Sequence, residues 1–240
     1  MPDLIQFREA AYRVNGRVLL GPLSLSVCQG DRVVLLGKSG AGKTTALRLI
    51  NALLLPSTGE VLVSGRSTRD WDRVRLRRSI GYVIQEIGLF PHLSVERNVG
   101  LVPRLERWPA ARVRERVAEL LRLVGLPGDF APRLPHELSG GQRQRVGVAR
   151  ALAADPPILL CDEPFGAVDP LARQELQVEF KTLAERLGKT IVFVTHDVRE
   201  AVALASRIAL LDQGRLVFAG TVEEFNLTPD PQVTALRGLL

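Results

Sequence analysis

Gly37-Lys38-Ser39-Gly40-Ala41-Gly42-Lys43-Thr44 follows the pattern glycine, four residues, Gly-Lys-[Ser/Thr]. Glycines let a backbone curl until several N–H groups point inward at one anion, and a helix that starts just after the curl adds its positive end. The chemistry predicted is a cradle for linked phosphates. Lys43 would reach the β and γ phosphates, and the Thr44 hydroxyl would go to Mg²⁺. An ordinary glycine-rich turn is the plainer reading. The flanks argue against it, because Arg32-Val33-Val34-Leu35-Leu36 reads as a strand and Lys43 to Leu54 carries a helical apolar pattern.

Two further clusters carry chemical potential. Ile158-Leu159-Leu160-Cys161 is an apolar run that ends in the adjacent carboxylates Asp162 and Glu163. Beside a nucleotide, the first would orient the metal and the second would act as general base toward an attacking water. Taken alone, such a pair is also what a strand end meeting solvent looks like. Leu138-Ser139-Gly140-Gly141-Gln142 precedes a helical stretch in which Ser139 is a ready N-cap. Its hydroxyl and the amides of Gly140 and Gly141 equally suit an anion arriving from outside the chain.

The elements that must position these residues follow from pattern. Strands are predicted over Leu23 to Val27, Glu60 to Ser64, Ile80 to Ile84, Ile158 to Cys161, Thr190 to Thr195, Ile208 to Leu211 and Leu216 to Ala219, with Asp212 to Arg215 as a turn. Asp169 as cap, Pro170, an apolar face of Leu176, Phe180, Leu183 and Leu187, and Gly188 as stop predict a helix. Apolar runs separated by helices argue for an α/β fold with a mostly parallel sheet. The alternating Leu23 to Val27 suggests a separate antiparallel β layer near the N-terminus. From about Leu89 to Ala154 strand signals vanish, and Val95 to Gly125 and Gln142 to Ala154 read as helices, an α-helical insertion.

With 240 residues, 46% hydrophobic and 24% charged, the chain has the composition of a globular domain, which excludes disordered and collagen-like classes. The net charge of +6 suits an acidic partner and a solvated surface equally. No apolar run approaches the length of a membrane span. Asp3, Arg8 and Glu9 interrupt the start where an export signal needs an apolar core. Cys28 and Cys161 cannot form a disulfide framework, so both are expected reduced, in a cytoplasm.

Taken together, the three clusters resemble the nucleotide-binding subunit of an ATP-binding cassette (ABC) transporter. The resemblance implies a P-loop NTPase (RecA-like) fold in one domain over 1–240, with a core at about 1–88 and 155–240 and a helical signature subdomain at about 89–154. Leu138 to Gln142 matches the signature that contacts the γ-phosphate of ATP held by a second subunit, so two copies, head to tail, would enclose two nucleotides. The loop from Gly37 through Thr45 would hold phosphates, Tyr12 would stack on adenine, and Gln85 would touch Mg²⁺ and sense the transport partner. His196 corresponds to the switch histidine at the γ-phosphate. Asp169 matches a loop aspartate that bridges the dimer, while its cap role explains it equally well. His92 and His136, in proline-flanked segments, are assigned no role.

Gly81 to Val95, continuing into Asn98-Val99 and Val102-Pro103, together with Arg145 to Leu152, is similar to ATPase subunits of bacterial importers for glycine betaine, carnitine and choline. The implied partners are inner-membrane permease subunits and, indirectly, a substrate-binding protein, with the ATPase peripheral on the cytoplasmic face. Glu86, Cys161 and Val168 depart from the residues usual in the family without removing a catalytic group. Regulatory modules that some relatives carry after the ATPase are not expected in cis, since the chain stops at Leu240. A different cargo such as amino acids is one alternative. A soluble DNA-associated ABC ATPase is another, but no nucleic acid is expected, because neither heptads nor a cysteine cluster appear.

Overall fold

The structure is a computed structural model that describes residues 3–85, 87–166 and 170–238. The chain divides into two compact units, one running to Arg77 and resuming at Lys189, the other spanning Arg78–Gly188. In chain order, the first unit opens with β1 (Asp3–Val14), β2 (Arg17–Cys28), β3 (Arg32–Leu36), α1 (Lys43–Ile50), β4 (Thr58–Val63), β5 (Arg66–Ser67) and α2 (Arg73–Arg78). The second holds β6 (Ile80–Val83), α3 (Val95–Val99), α4 (Leu101–Leu105), α5 (Ala110–Leu123), α6 (Gly140–Leu152), β7 (Ile158–Asp162) and α7 (Pro170–Leu187). The first unit then closes with β8 (Thr190–Thr195), α8 (Val198–Leu204), β9 (Arg207–Asp212), β10 (Arg215–Thr221), α9 (Val222–Leu227) and α10 (Pro231–Arg237).

In the first unit, β3 pairs in parallel with β8 on one side and with β9 on the other, and β10 is antiparallel to β9. Val33 to Leu36 and every residue of β8 are buried, as the unbroken apolar runs require of strands covered on both faces. The expected antiparallel layer is present as a sheet in the order β2-β1-β4-β5. Its first strand, β1, is absent from the predicted set. The reason is local: Ile5 and Phe7 alternate inward, then Glu9 takes φ 47° and the register shifts before Ala10. That bulge breaks the alternation by which a strand is recognised. Asn15-Gly16, with φ 50° and 77°, closes β1 onto β2 as a two-residue hairpin.

Among the described residues, 89–154 contains no strand, as expected, but the helix predicted over Val95 to Gly125 is three helices. Gly100 ends α3. Arg107 at φ 58° and the Pro109 cap separate α4 from α5. Pro103 is tolerated inside α4 because the first turn of a helix has no acceptor for the N–H that proline lacks. Likewise α1 stops at Ile50 rather than Leu54, since the Asn51 side chain accepts from the Leu53 N–H at 3.1 Å and Ala52 turns left-handed at φ 52°. Conversely, α6 starts at Gly140, two residues ahead of its predicted start at Gln142.

Within α7, Leu176, Phe180 and Ala184 form the buried stripe, and Gly188 at φ 57° ends the helix as expected. The second unit is larger than the helical segment 89–154, since it includes β6, β7 and α7. Among the described residues no helix is long and apolar enough to cross a membrane.

Both cysteines are free. Cys161 is fully buried in β7, where burial pushes its thiol pKa far up, and the Cys28 thiol donates to Asp3 Oδ1 at 3.3 Å, which raises its pKa as well. At pH 8 a thiol-specific reagent is expected to label Cys28 slowly and Cys161 only on unfolding. Stoichiometric labelling of the native protein at both positions would contradict the burial of β7.

Candidate functional site

The glycine loop leaves β3 and enters α1 directly, giving the strand-loop-helix order its sequence predicts. Gly37 is fixed by close approach: a Cβ there would lie 2.2 Å from the Leu211 carbonyl oxygen. Gly42 is fixed twice over, by φ 94° and by a Cβ position 2.7 Å from the Leu19 oxygen. Lys43 is only 5% exposed, and its Nζ donates to the carbonyls of Gly37 at 2.6 Å and Lys38 at 2.9 Å. These bonds satisfy an ammonium whose burial would otherwise be costly and hold it at the base of the loop. Thr44 and Thr45 occupy the first turn of α1 half-buried, and that turn carries no acidic residue to neutralise its positive end.

His196 belongs to the same unit. Leu36 of β3 is in register with Thr195 of β8, so the loop after Leu36 and the histidine after Thr195 leave the sheet at the same edge. His196 is exposed, as a residue must be to meet a ligand. The corner that carries it is ordered by Thr195, whose hydroxyl donates to Glu200 Oε2 at 2.5 Å and accepts from the Asp197 N–H at 3.0 Å. Tyr12 is half-buried in β1, opposite Leu20 of β2, on the antiparallel sheet of this unit.

In the second unit, β6 and β7 are parallel with Val83 in register with Cys161. Gln85 and Glu163, each two residues past that pair, therefore leave at the same end, and Gln85 Nε2 lies 3.5 Å from Glu163 Oε2. Asp162 is 5% exposed, and its Oδ2 accepts from the Tyr82 hydroxyl at 3.2 Å. Glu163 is half-buried and takes φ 43°, a left-handed conformation that costs a non-glycine residue about 1 to 2 kcal/mol. A strained carboxylate at the end of a buried strand is an arrangement kept for chemistry more often than for packing.

Ser139 caps α6 in a reciprocal box. Its hydroxyl accepts from the Gln142 N–H at 3.2 Å, and Gln142 Oε1 accepts from the Ser139 N–H at 2.9 Å. The structural role foreseen for Ser139 is thus present, and it leaves the residue exposed at the head of a helix whose first turn carries no acidic residue. Asp169 lies outside the described residues, as do Glu86 and Val168. His92 meets the Phe90 ring edge-on at 6.1 Å, and His136 sits in a short 3₁₀ turn.

Other side chains with a part in the site carry no sequence-level assignment. Tyr82, which donates to Asp162, reads only as one more residue of a strand. Asn98 is fully buried; its Oδ1 accepts from the Phe90 N–H at 2.8 Å, and its Nδ2 donates to the carbonyls of Phe90, Leu93 and Ser94. Arg150, near the end of α6, donates to the carbonyls of Ile87 and Gly88, each at 2.6 Å, and burial lowers its pKa from the ordinary arginine value. Together they fix the backbone of residues 87–94. Neither stands out along the chain, since Asn98 follows Glu96 and Arg97 in α3 and Arg150 is one of three arginines in α6.

Residues 20–166 match the ABC transporter family. The chain belongs to that family. It is 50% identical over 215 residues to the glycine betaine/carnitine/choline transport ATP-binding protein OpuCA of Bacillus subtilis, which covers 90% of this chain and 57% of OpuCA. Identity is 50% over 208 residues to the osmoprotectant import ATP-binding protein OsmV of Salmonella typhimurium, 86% of this chain and 54% of OsmV. It is 47% over 217 residues to the glycine betaine uptake system ATP-binding protein YehX of Escherichia coli, 90% of this chain and 70% of YehX. The chain therefore spans little more than half the length of the first two relatives. A solved dimeric, post-hydrolysis state of the ATP-binding cassette MJ0796 with ADP and Pi superposes with a TM-score of 0.81 at 34% identity, over 91% of this chain and 98% of that one. The fold is that of the ABC ATPase cassettes, a P-loop NTPase fold.

Two stability predictions follow from the geometry. Asn98→Ala removes the acceptor of the Phe90 N–H and the side-chain donor to the Leu93 carbonyl, while the Phe90 and Ser94 carbonyls keep main-chain donors, and is expected to cost about 2 kcal/mol in urea denaturation. Gly37→Ala drives a methyl into the Leu211 carbonyl and is expected to cost at least as much, about 3 kcal/mol or more, by the same measurement.

Proposed function

We propose that this chain binds and hydrolyses ATP with Mg²⁺ and powers import of quaternary-amine osmoprotectants through permease subunits in the inner membrane, on whose cytoplasmic face it sits. The observation that carries the ATPase reading is the glycine loop with its buried Lys43 ammonium, at the same sheet edge as His196. The identities to osmoprotectant transport ATP-binding proteins support the cargo. We take the chain as one ABC ATPase domain, with its core at about 1–88 and 155–240 and the helical subdomain at about 89–154.

Each residue's part follows from its environment. Lys43 and the loop amides of Gly37 to Thr45 bind the phosphates and offset negative charge spreading onto the oxygens of the transferred group. Thr44, Gln85 and Asp162 would hold Mg²⁺; hydroxyl, amide and carboxylate oxygens are the hard donors this ion takes, and it supplies further neutralisation of phosphate charge. Glu163 orients water and takes its proton. Gln85, within reach of that carboxylate at 3.5 Å, steers it, and His196 meets the γ-phosphate. Tyr12 stacks on adenine.

Ser139 to Gln142 of one copy close over nucleotide held by a second copy, head to tail, and Asp169 bridges the two. The dimeric cassette structure supports this assembly. A substrate-binding protein is the indirect partner that delivers cargo. The ATPase does not touch the cargo, and the putrescine transport ATP-binding protein PotG of Escherichia coli, 40% identical over 236 residues, shows how near an ATPase with a different transport name lies.

Glu163→Gln removes the proton acceptor without changing shape. It is expected to keep ATP affinity, lower hydrolysis by about a hundredfold or more, and accumulate a dimer with ATP in size-exclusion chromatography with light scattering. Lys43→Ala is expected to abolish nucleotide binding in an equilibrium titration. Normal turnover by Glu163→Gln would remove Glu163 from the mechanism.

A further inference from the structure

The corner between β8 and α8 holds a buried carboxylate that the proposed function leaves unused. Glu200 is 6% exposed and stands in the first turn of α8, where a third-position glutamate ordinarily reaches back to the N–H of the cap residue. Here that N–H, of Asp197, goes to the Thr195 hydroxyl at 3.0 Å, and the Thr195 hydroxyl goes to Glu200 Oε2 at 2.5 Å. The result is a relay from the residue after His196, through the residue before it, to the buried side of α8. Asp197 is pinned a second time, since its carboxylate accepts from the Arg199 N–H at 2.8 Å.

Both peptide neighbours of an exposed histidine are thus fixed. A buried carboxylate is a poor way to stabilise a helix, because an apolar side chain of similar volume fills the same space without loss of hydration. What it does supply is direction. Thr195 can donate in only one direction, and Glu200 selects it, leaving the oxygen lone pairs for Asp197.

We propose that Glu200, acting through Thr195, is a positioning residue for His196: the relay sets the backbone of residues 195–197 so that the imidazole is presented toward the terminal phosphate before nucleotide arrives. This rests on the reading of His196 given above. Preorganising a contacting group in this way acts on the chemical step more than on ground-state binding.

The test measures steady-state ATP hydrolysis, ADP affinity and thermal melting on His196→Ala, Thr195→Val, Thr195→Ser and Glu200→Met. Thr195→Val keeps the volume and loses the hydroxyl; it is expected to lower kcat about tenfold or more while ADP affinity stays within about twofold. Thr195→Ser keeps the hydroxyl and is expected to stay near the parent rate. Glu200→Met, close to isosteric and without an acceptor, should follow Thr195→Val in kcat per folded molecule, with a melting temperature somewhat below the parent's because the buried Thr195 hydroxyl loses its acceptor. If Thr195→Val does not fold, Glu200→Met decides the matter alone.

Parent-like kcat in Glu200→Met or Thr195→Val, with His196→Ala inactive, would overturn the positioning role and leave His196 in place. A lowered melting temperature with unchanged kcat per folded molecule would reduce the relay to a structural tie. Parent-like hydrolysis by His196→Ala would instead remove the reading on which the inference rests.

Discussion

The buried ammonium of Lys43 constrains everything near it. A cation with 5% exposure must be satisfied by the protein, and here the carbonyls of Gly37 and Lys38 do so at 2.6 and 2.9 Å. For those carbonyls to turn inward, the chain must curl immediately after β3, and it can do so only because Gly37 has no side chain to strike the Leu211 carbonyl. Leu211 lies in β9, which pairs directly with β3, so the sheet fixes the loop as much as the loop fixes the lysine. The same curl presents the first turn of α1, free of acidic residues, to whatever anion the ammonium faces. Positive charge is concentrated by backbone geometry and one side chain.

Acidic chemistry is organised by the same device in the second unit. Parallel pairing of β6 and β7 in a register that matches Val83 with Cys161 sends Gln85 and Glu163 out at one end. Asp162 remains buried with a phenol donor, while Glu163 is turned off the strand by a left-handed backbone. Two neighbouring carboxylates thus receive different surroundings, the usual way a protein gives like groups unlike tasks. Away from the reacting groups, Asn98 and Arg150 hold the segment of residues 87–94 through main-chain carbonyls and the Phe90 N–H. Its shape is therefore specified, while Phe90 stays 43% exposed on its surface.

Much of this is legible in the residues. The β3 and β8 strands are read from the sequence with the boundaries they have, because a strand buried on both faces is an uninterrupted apolar run. The α7 helix is marked by Pro170 at its start and Gly188 at its end. Failures have equally local causes. The Glu9 bulge hides β1 by shifting its alternation, and Gly100 and the Arg107 to Pro109 break divide what looks like one amphipathic helix. Periodicity averages over several residues, and a single backbone torsion can overturn it.

The sequence by itself determined the types and local spacing of the chemistry: a glycine loop with its lysine, a carboxylate pair after an apolar strand, a capped glycine pair before a helix, and a lone histidine after another strand. Those are short-range facts, set by adjacent residues. Only tertiary structure decided which strand stands beside which, and hence that His196 shares an edge with the glycine loop and Gln85 an end with Glu163. It alone revealed that the oxygen partners of Asn98 and Arg150 are backbone carbonyls, and that the Thr195–Glu200 relay brackets His196. Hydrogen bonds to the main chain and the order of strands in a sheet join residues that no spacing along the chain relates. They become visible only when the chain is folded.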